Sequence, residues 1–127
     1  MPAILLVDDD ANFLELLSRF LQQEGYAVHT AANGWEALLV LDEKRIDLIL
    51  LDVMMPGMDG ITFLKIAQSA QRTLSAAVIV VTALSSQDAI ARTRGLAVAE
   101  VVPKSITVFD QIITLVKRHL PISQQQG

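Results

Sequence analysis

Residues 47–60 have the sequence Asp-Leu-Ile-Leu-Leu-Asp-Val-Met-Met-Pro-Gly-Met-Asp-Gly, in which an apolar run ends at Asp52 and a loop rich in proline and glycine follows. A short apolar run bounded by turn residues is typical of a strand buried on both faces, as in a parallel sheet. The loop residues indicate that the strand stops there in a tight turn. This stretch therefore predicts a carboxylate held at the end of a buried strand, a position suited to chemistry.

Two further apolar runs also end in polar groups. Residues 4–7 lead into three consecutive aspartates, and residues 78–81 lead into Thr82. The apolar periodicity predicts strands at about 3–8, 26–31, 47–52, 77–82 and 99–103, and helices at about 10–24, 34–44, 60–70, 85–96 and 107–119. Strands that alternate with helices of this length indicate an α/β fold, with a parallel sheet covered by helices on both faces.

The carboxyl ends of the predicted strands gather the polar residues, and ligands of open parallel sheets bind at this edge. The residues at this edge are Asp8, Asp9, Asp52, Thr82 and, after the fifth strand, Lys104. Neighbouring carboxylates repel unless a cation compensates, and oxygen ligands favour Mg²⁺. Because Mg²⁺ leaves room for a phosphoryl group and an aspartate can form an acyl phosphate, the set predicts phosphoryl chemistry.

Composition narrows the class of protein. The chain has 127 residues, a net charge of −4 and no cysteine. This length predicts one domain over residues 1–120, with 121–127 as a tail or the start of a linker. No apolar run approaches the ~18 residues of a membrane span, and no basic face for nucleic acid is expected. We expect a cytoplasmic protein with no signal peptide, no membrane insertion and no direct contact with nucleic acid.

The motifs together resemble the receiver domain of two-component response regulators, which is CheY-like, over essentially the whole chain. The matching pieces are Ile4–Asp10, Ala32–Leu38, Asp47–Gly60, Val81–Ala83 and Pro103–Lys104. The Asp-x-x-Met-Pro-x-x-Asp-Gly signature from Asp52 to Gly60 is the most specific of them. The resemblance implies a flavodoxin-like (βα)5 three-layer sandwich with a parallel five-stranded sheet in the order 2-1-3-4-5.

The resemblance also implies a role for each site residue. Asp52 would accept a phosphoryl group from a sensor histidine kinase or a phosphotransfer protein. The Mg²⁺ ligands would be Asp9, Asp52 and the Met54 carbonyl, with Asp8 acting through water. Lys104 would pair with Asp52 or its phosphoryl group, which Thr82 and Ala83 would also contact.

The output of such a protein would be a protein–protein contact with a downstream target or an effector domain. A homodimer through the fourth helix, fifth strand and fifth helix is a further expectation of the resemblance. The chain would be a phosphorylation-dependent switch of a phosphorelay and not an enzyme.

Two residues depart from the family pattern, which usually has proline after the lysine and an aromatic residue three before it. Ser105 follows Lys104, so the loop would be trans, since a non-proline cis bond costs about 2.5–4 kcal/mol. Val101 has no ring to swing inward, so we predict that the usual threonine–aromatic switch is absent or altered. Met54 and Leu84 cannot orient an attacking water, which predicts a slowly decaying phosphoryl group.

Two alternatives remain open. An atypical receiver that binds partners constitutively would keep the site and lose the switch, as Val101 and Ser105 suggest. An aspartyl-phosphate hydrolase of the haloacid-dehalogenase type is disfavoured, because its second acid would stand at Met54.

Several residues are expected to be ordinary. His29 and His119 are interpreted as surface residues, Trp35 as a packing residue and Asp10 as a favourable charge at the first helix N-terminus. The last helix carries a core stripe, and two apolar residues off that stripe, Val108 and Leu115, suggest a partner face.

Overall fold

The computed structural model describes residues 1–72, 76–104 and 108–122. Within those ranges strands and helices alternate along the chain. The strands are β1 Ala3–Val7, β2 Ala27–Ala31, β3 Leu48–Leu51, β4 Ala77–Thr82 and β5 Glu100–Pro103. The helices are α1 Ala11–Gln23, α2 Gly34–Glu43, α3 Gly60–Ser69, α4 Ser86–Arg92 and α5 Val108–His119.

The strands form one parallel sheet in the order β2-β1-β3-β4-β5, which confirms the predicted fold. The register pairs Val7 of β1 with Leu51 of β3, so the residues that follow both strands lie side by side. Thr82 at the end of β4 pairs with Pro103 of β5, directly before Lys104. The topology thus brings the predicted site residues to one edge of the sheet.

Two apolar layers explain why the strand sequences are continuously apolar. On one face, Leu5 and Val7 pack with residues of α2 and α3, such as Ala37 and Phe63. On the other face, Ile4 and Leu6 alternate into a layer formed with α1 and α5. A central strand of this sheet therefore has no solvent-facing side and needs no polar residue before its carboxyl end.

Short polar residues begin four of the helices. Asp10, Asn33, Asp59 and Ser85 each accept a hydrogen bond from the backbone N–H three residues on, which is the usual N-cap arrangement. Asp10 therefore has the helix-end role expected of it. These caps fix the directions in which the chain leaves the carboxyl edge of the sheet.

The predicted fourth helix, 85–96, is too long, because α4 ends at Arg92. The Thr93 hydroxyl donates to the Ala89 carbonyl oxygen at 2.8 Å, and Gly95 has a left-handed φ of +85°. A left-handed glycine reverses the chain after a helix at little steric cost, so the segment turns toward β5.

Two expectations about single residues are wrong. Trp35 is 65% exposed on α2 and is not a packing residue. The His119 side chain is only 25% exposed, and its Nε2 lies 3.5 Å from Glu100 Oε2. The imidazole of His119 is therefore partly buried beside Glu100 at the start of β5, although the sequence suggested a surface position.

Some expectations fall on other parts of the chain. Ser105, the start of the last helix at Thr107 and residues 123–127 lie outside the described residues, as does the side chain of Val108. Ile122 packs against the layer formed with α1 and α5, so the described part of the expected tail touches the domain. None of the helices in the described ranges has the length and apolar character needed to cross a membrane.

Candidate functional site

Three carboxylates meet at the carboxyl edge of the sheet. Asp8 follows β1 and Asp52 follows β3, and the backbone ladder continues through both residues, with Asp8 N donating to Ala31 O and Asp52 N donating to Val7 O. Asp8 and Asp52 are buried, whereas Asp9 is exposed. Oxygen atoms of the three side chains all lie within 4.8 Å of one another. Acid groups this close form a concentrated negative charge in a partly desolvated place.

The buried acids are each oriented by a backbone N–H two residues further along. Asp10 N donates to Asp8 Oδ1 at 2.9 Å, and Met54 N donates to Asp52 Oδ1 at 2.9 Å. In each case this leaves Oδ2 as the oxygen that the lysine ammonium approaches. One oxygen of each buried carboxylate is therefore oriented by the backbone, whereas the other faces the Lys104 side chain.

Lys104 supplies the positive charge of the site. Its Nζ lies 2.7 Å from Asp8 Oδ2 and 3.6 Å from Asp52 Oδ2, so the predicted contact with Asp52 is the longer of two. Burial alone would lower the pKa of this ammonium. The hydrogen bond to Asp8 and the charges of Asp8, Asp52 and Asp10 outweigh burial, so the pKa of Lys104 is raised.

Asp8 lies in an environment that disfavours its ionised carboxylate. Burial raises the pKa of the Asp8 carboxyl, and the neighbouring charge of Asp52 adds to the effect. The hydrogen bonds from Lys104 and Asp10 act in the opposite direction but do not cancel it. The contacts with Lys104 and Asp10 therefore do not fully offset the burial of the Asp8 carboxylate, and a further cation would find favourable ligands there.

Thr82 lies at the end of β4, where it is completely buried. Its hydroxyl oxygen accepts a hydrogen bond from Leu84 N at 3.3 Å, and its carbonyl oxygen accepts one from Lys104 N at 2.8 Å. Ala83, the next residue, is exposed at the rim. The Thr82 backbone thus fixes the start of the lysine segment.

Gly60 determines how closely the loop after Asp52 returns to the sheet. A Cβ atom at Gly60 would lie 2.5 Å from the Asp52 carbonyl oxygen and 2.6 Å from Val53 Cα. No side chain fits at these distances, so the first residue of α3 must be glycine for the chain to pass so close to the end of β3. Asp59 caps α3 at the same point, through a bond from Thr62 N of 2.8 Å.

The donor set fits a hard cation. The carboxylate oxygens come from two adjacent strand ends, and no cysteine exists in the chain to offer a softer ligand. Such an all-oxygen set, with one acid exposed to solvent, suits Mg²⁺, which retains several waters and takes one or two carboxylates. The Met54 side chain is 49% exposed beside this position and contributes no charge.

One contact of the site was missed by sequence reasoning. The Lys104 Nζ lies 4.3 Å from the centroid of the Phe13 ring. Phe13 belongs to the apolar stripe of α1, and that periodicity indicated only a core residue. Its position three residues after the cap Asp10 could have placed it near the acids, but no sequence pattern links it to Lys104.

Comparisons with known proteins agree with this geometry. The family described as the response regulator receiver domain matches residues 4–117, and the chain belongs to that family. Sporulation initiation phosphotransferase F of Bacillus subtilis is 37% identical over 119 residues, which cover 94% of this chain and 94% of that protein.

Solved structures show the same fold. The response regulator protein TrrA of Thermotoga maritima, in complex with Mg(2+)-BeF, is 38% identical with a TM-score of 0.81, over 94% of this chain and 100% of that one. Chemotaxis protein CheY4 of Vibrio cholerae has a TM-score of 0.86 at 28% identity, over 94% and 99%.

The length of the relatives varies. The chain spans only 24% to 36% of several transcriptional regulators that it also matches. The family match and the similarity to a phosphotransferase of the same length identify the chain as a receiver domain of the two-component type. Domains of this class act as signalling switches and interact with histidine kinases or phosphotransfer proteins and with effector domains.

Proposed function

We propose that Asp52 is the phosphoryl acceptor of this receiver domain, and that phosphorylation in the presence of Mg²⁺ switches its contacts with a partner protein. The observation that carries the proposal is the meeting of three carboxylates and one ammonium at the carboxyl edge of the sheet. The proposed domain covers residues 1–120 and works with its kinase or phosphotransfer partner in the cytoplasm.

Each site residue has a part in the proposed reaction. A carboxylate oxygen of Asp52 attacks the phosphorus of a phosphohistidine on the donor, the O–P bond forms, the P–N bond breaks and the imidazole leaves. Lys104 binds a phosphoryl oxygen by its charge, and Thr82 and Ala83 supply hydrogen bonds from the end of β4. Positioning and charge compensation are most of what such a transfer requires from a protein.

Mg²⁺ would neutralise charge on the acids and on the transferred group. Asp9, Asp52 and the carbonyl oxygen of Met54 would hold it, with Asp8 reaching it through water. The TrrA structure, which contains Mg(2+)-BeF, supports this assignment by similarity.

The proposed output surface is the face formed by α4, β5 and α5. An open groove of about 440 Å³ lies between β5 and α5, lined by residues that include Pro103, Gln111, Leu115 and Arg118. Its mixed apolar and charged lining suits a protein partner, either a target, an effector domain or a second copy of the chain.

The phosphorylated state is proposed to be long-lived. Met54 is half-exposed beside the acids and Leu84 follows the threonine by two residues, and neither can hydrogen-bond an attacking water. A half-life of seconds would contradict this.

The experiment is incubation with acetyl phosphate and Mg²⁺, followed by intact-protein mass spectrometry. We expect one phosphoryl group per chain in the wild type and none in Asp52→Ala. Asp59→Asn is the matched control, because it changes a carboxylate of the same loop while keeping an efficient helix cap. Uptake by Asp52→Ala would refute the assignment, and many turnovers of acetyl phosphate would favour a hydrolase.

A constitutive binding module is the second candidate function. The observation that favours it is Val101, which is partly buried and packs against the apolar layer next to α2 and α3 where an aromatic switch would otherwise stand. Partner binding that is unchanged by beryllofluoride would favour the constitutive module, and binding that depends on beryllofluoride would favour the switch.

A further inference from the structure

Phe13 contacts the lysine of the site through its ring and not through a charge. The Lys104 ammonium lies 4.3 Å from the centre of the Phe13 ring, a distance typical of a cation held over an aromatic face. The same ammonium is 2.7 Å from Asp8 Oδ2 and 3.6 Å from Asp52 Oδ2. Among the described residues, the Lys104 ammonium thus lies close to two carboxylates and one uncharged ring, that of Phe13.

The ring of Phe13 is itself held by α5. Phe109 stacks on it with 5.5 Å between centroids and an interplanar angle of 23°. Phe20, two turns further along α1, contacts Phe109 at 5.4 Å and 43° but makes no such contact with the lysine. A ring packed in this way presents a constant face to the site.

The Lys104 side chain needs contacts that fix its position, because the strand before it constrains only the backbone. β5 is an edge strand that ends at Pro103, and the backbone bond from Lys104 N to Thr82 O continues its ladder by one residue. A lysine side chain has many rotamers and a point charge that fits several acceptors equally well. Attraction by Asp8 alone would draw the ammonium away from Asp52. A phosphoryl group on Asp52 would then lack the positive charge beside it.

We propose that Phe13 is a positioning residue for Lys104: its ring face, fixed by Phe109, keeps the ammonium between Asp8 and Asp52, ready to bind a phosphoryl group. The inference rests on the proposed function for its purpose, but the contact itself can be tested without phosphorylation. The Phe13 side chain has no polar atom that could hydrogen-bond or ligate a metal, so its contribution depends on the electron density of the ring.

The test replaces Phe13 by phenylalanines that carry one, two or three fluorine atoms, in the full chain. Fluorine changes the ring's volume little but weakens the negative charge of its face, on which cation binding depends. We expect the logarithm of the phosphorylation rate with acetyl phosphate and Mg²⁺ to fall stepwise with each fluorine. The same series at Phe20, which shares Phe109 but not Lys104, should leave the rate unchanged.

A second readout uses the metal-free protein. The methylene protons next to the Lys104 ammonium lie near the Phe13 ring face, so their NMR signals should be shifted upfield by the ring current. Phe13→Leu should abolish this shift and slow phosphorylation about two- to fivefold, whereas Phe13→Tyr should retain both properties.

Two results would overturn the inference: an unchanged Lys104 shift in Phe13→Leu, or a rate that does not respond to fluorination at position 13. Absence of phosphorylation in the wild type would instead refute the proposed function. In that case the ring-current shift still decides whether Phe13 holds the lysine, because it requires neither Mg²⁺ nor a phosphoryl donor.

Discussion

The acidic side of the site, formed by Asp8, Asp9 and Asp52, and the lysine side, formed by Val101 and Lys104, are held in place by different kinds of contact. The buried acids follow two central strands, and a backbone N–H orients each of their carboxylates. Lys104 follows a four-residue edge strand, and its ammonium is held by side chains from the ends of β1 and β3 and from α1.

This difference indicates which part of the molecule can vary. Contacts that use the backbone do not depend on neighbouring side chains, so the acidic side remains the same as long as the sheet forms. Contacts between side chains change with each substitution, and the departures from the family pattern, Val101 and Ser105, fall on the lysine side. We infer that the phosphoryl chemistry is the fixed part of this receiver and the response to it the adjustable part.

Gly60→Ala should have the largest effect, because it disturbs the backbone on which the acidic side depends. The new Cβ would meet Asp52 O and Val53 Cα at 2.5 and 2.6 Å, both backbone atoms that cannot rotate away. We expect a loss of about 3 kcal/mol in the free energy of unfolding, the upper part of the range for overpacking. Urea denaturation measures it.

Gly57→Ala is the control for that substitution. Gly57 lies in the same loop with φ of +74°, and a Cβ atom there would meet nothing within 4 Å beyond its chain neighbours. Only backbone strain of about 1–2 kcal/mol is therefore expected. In addition, Gly60→Ala alone should shift the amide NMR signals of Asp52 and Val53. Equal effects of the two variants would contradict the close approach.

Mg²⁺ should stabilise the folded protein through the acidic side. A ligand present at 100 times its dissociation constant adds about 2.7 kcal/mol if it binds only the folded state. Asp9→Ala should lose most of this gain, because the exposed acid is one of the clustered ligands, while Asp59→Asn should keep it. Urea denaturation with Mg²⁺ or with a chelator measures the difference, and an equal gain in Asp9→Ala would place the ion elsewhere.

The acidic side was also the more predictable from sequence. An apolar run that ends in an acid indicates both the strand and the position of the carboxylate, so Asp8 and Asp52 could be placed from the order of residues alone. The lysine side depends on contacts between distant side chains. Neither the closer pairing of Lys104 with Asp8 nor the ring of Phe13 leaves a periodic signal, and the early end of α4 depends on the left-handed Gly95.

Asp8→Asn should stabilise the metal-free protein. The pKa of Asp8 is raised in the folded state by burial, so the ionised carboxylate costs stability, and this cost appears as the pH rises through that pKa. At pH 7 we expect a gain of about 0.5–2 kcal/mol, as for other relieved unfavourable charges, even though the pair with Lys104 is weakened. The charge of Lys104 does not change in this range, since its raised pKa lies above 10.5.

The pH dependence separates this cause from a change in packing. Below about pH 3, where Asp8 is protonated in both folded and unfolded protein, wild type and Asp8→Asn should be equally stable. A gain that is the same at pH 3 and pH 7 would contradict the electrostatic explanation. Added Mg²⁺ should reverse the order at pH 7, because the wild type then gains a bound cation.

Substitution of Val101 should have the smallest effect of the changes considered. It tests the lysine side most directly. Its side chain packs against the layer next to α2 and α3, and a β-branched residue has few rotamers to exchange. We expect Val101→Ala to change the rate of phosphorylation by less than about twofold, since the residue touches none of the reacting groups. Beryllofluoride should leave the Val101 methyl signals and side-chain rotamer in place. A large rearrangement of Val101 on beryllofluoride binding would mean that valine carries the switch after all, and the contrast between a fixed acidic side and an altered lysine side would not hold.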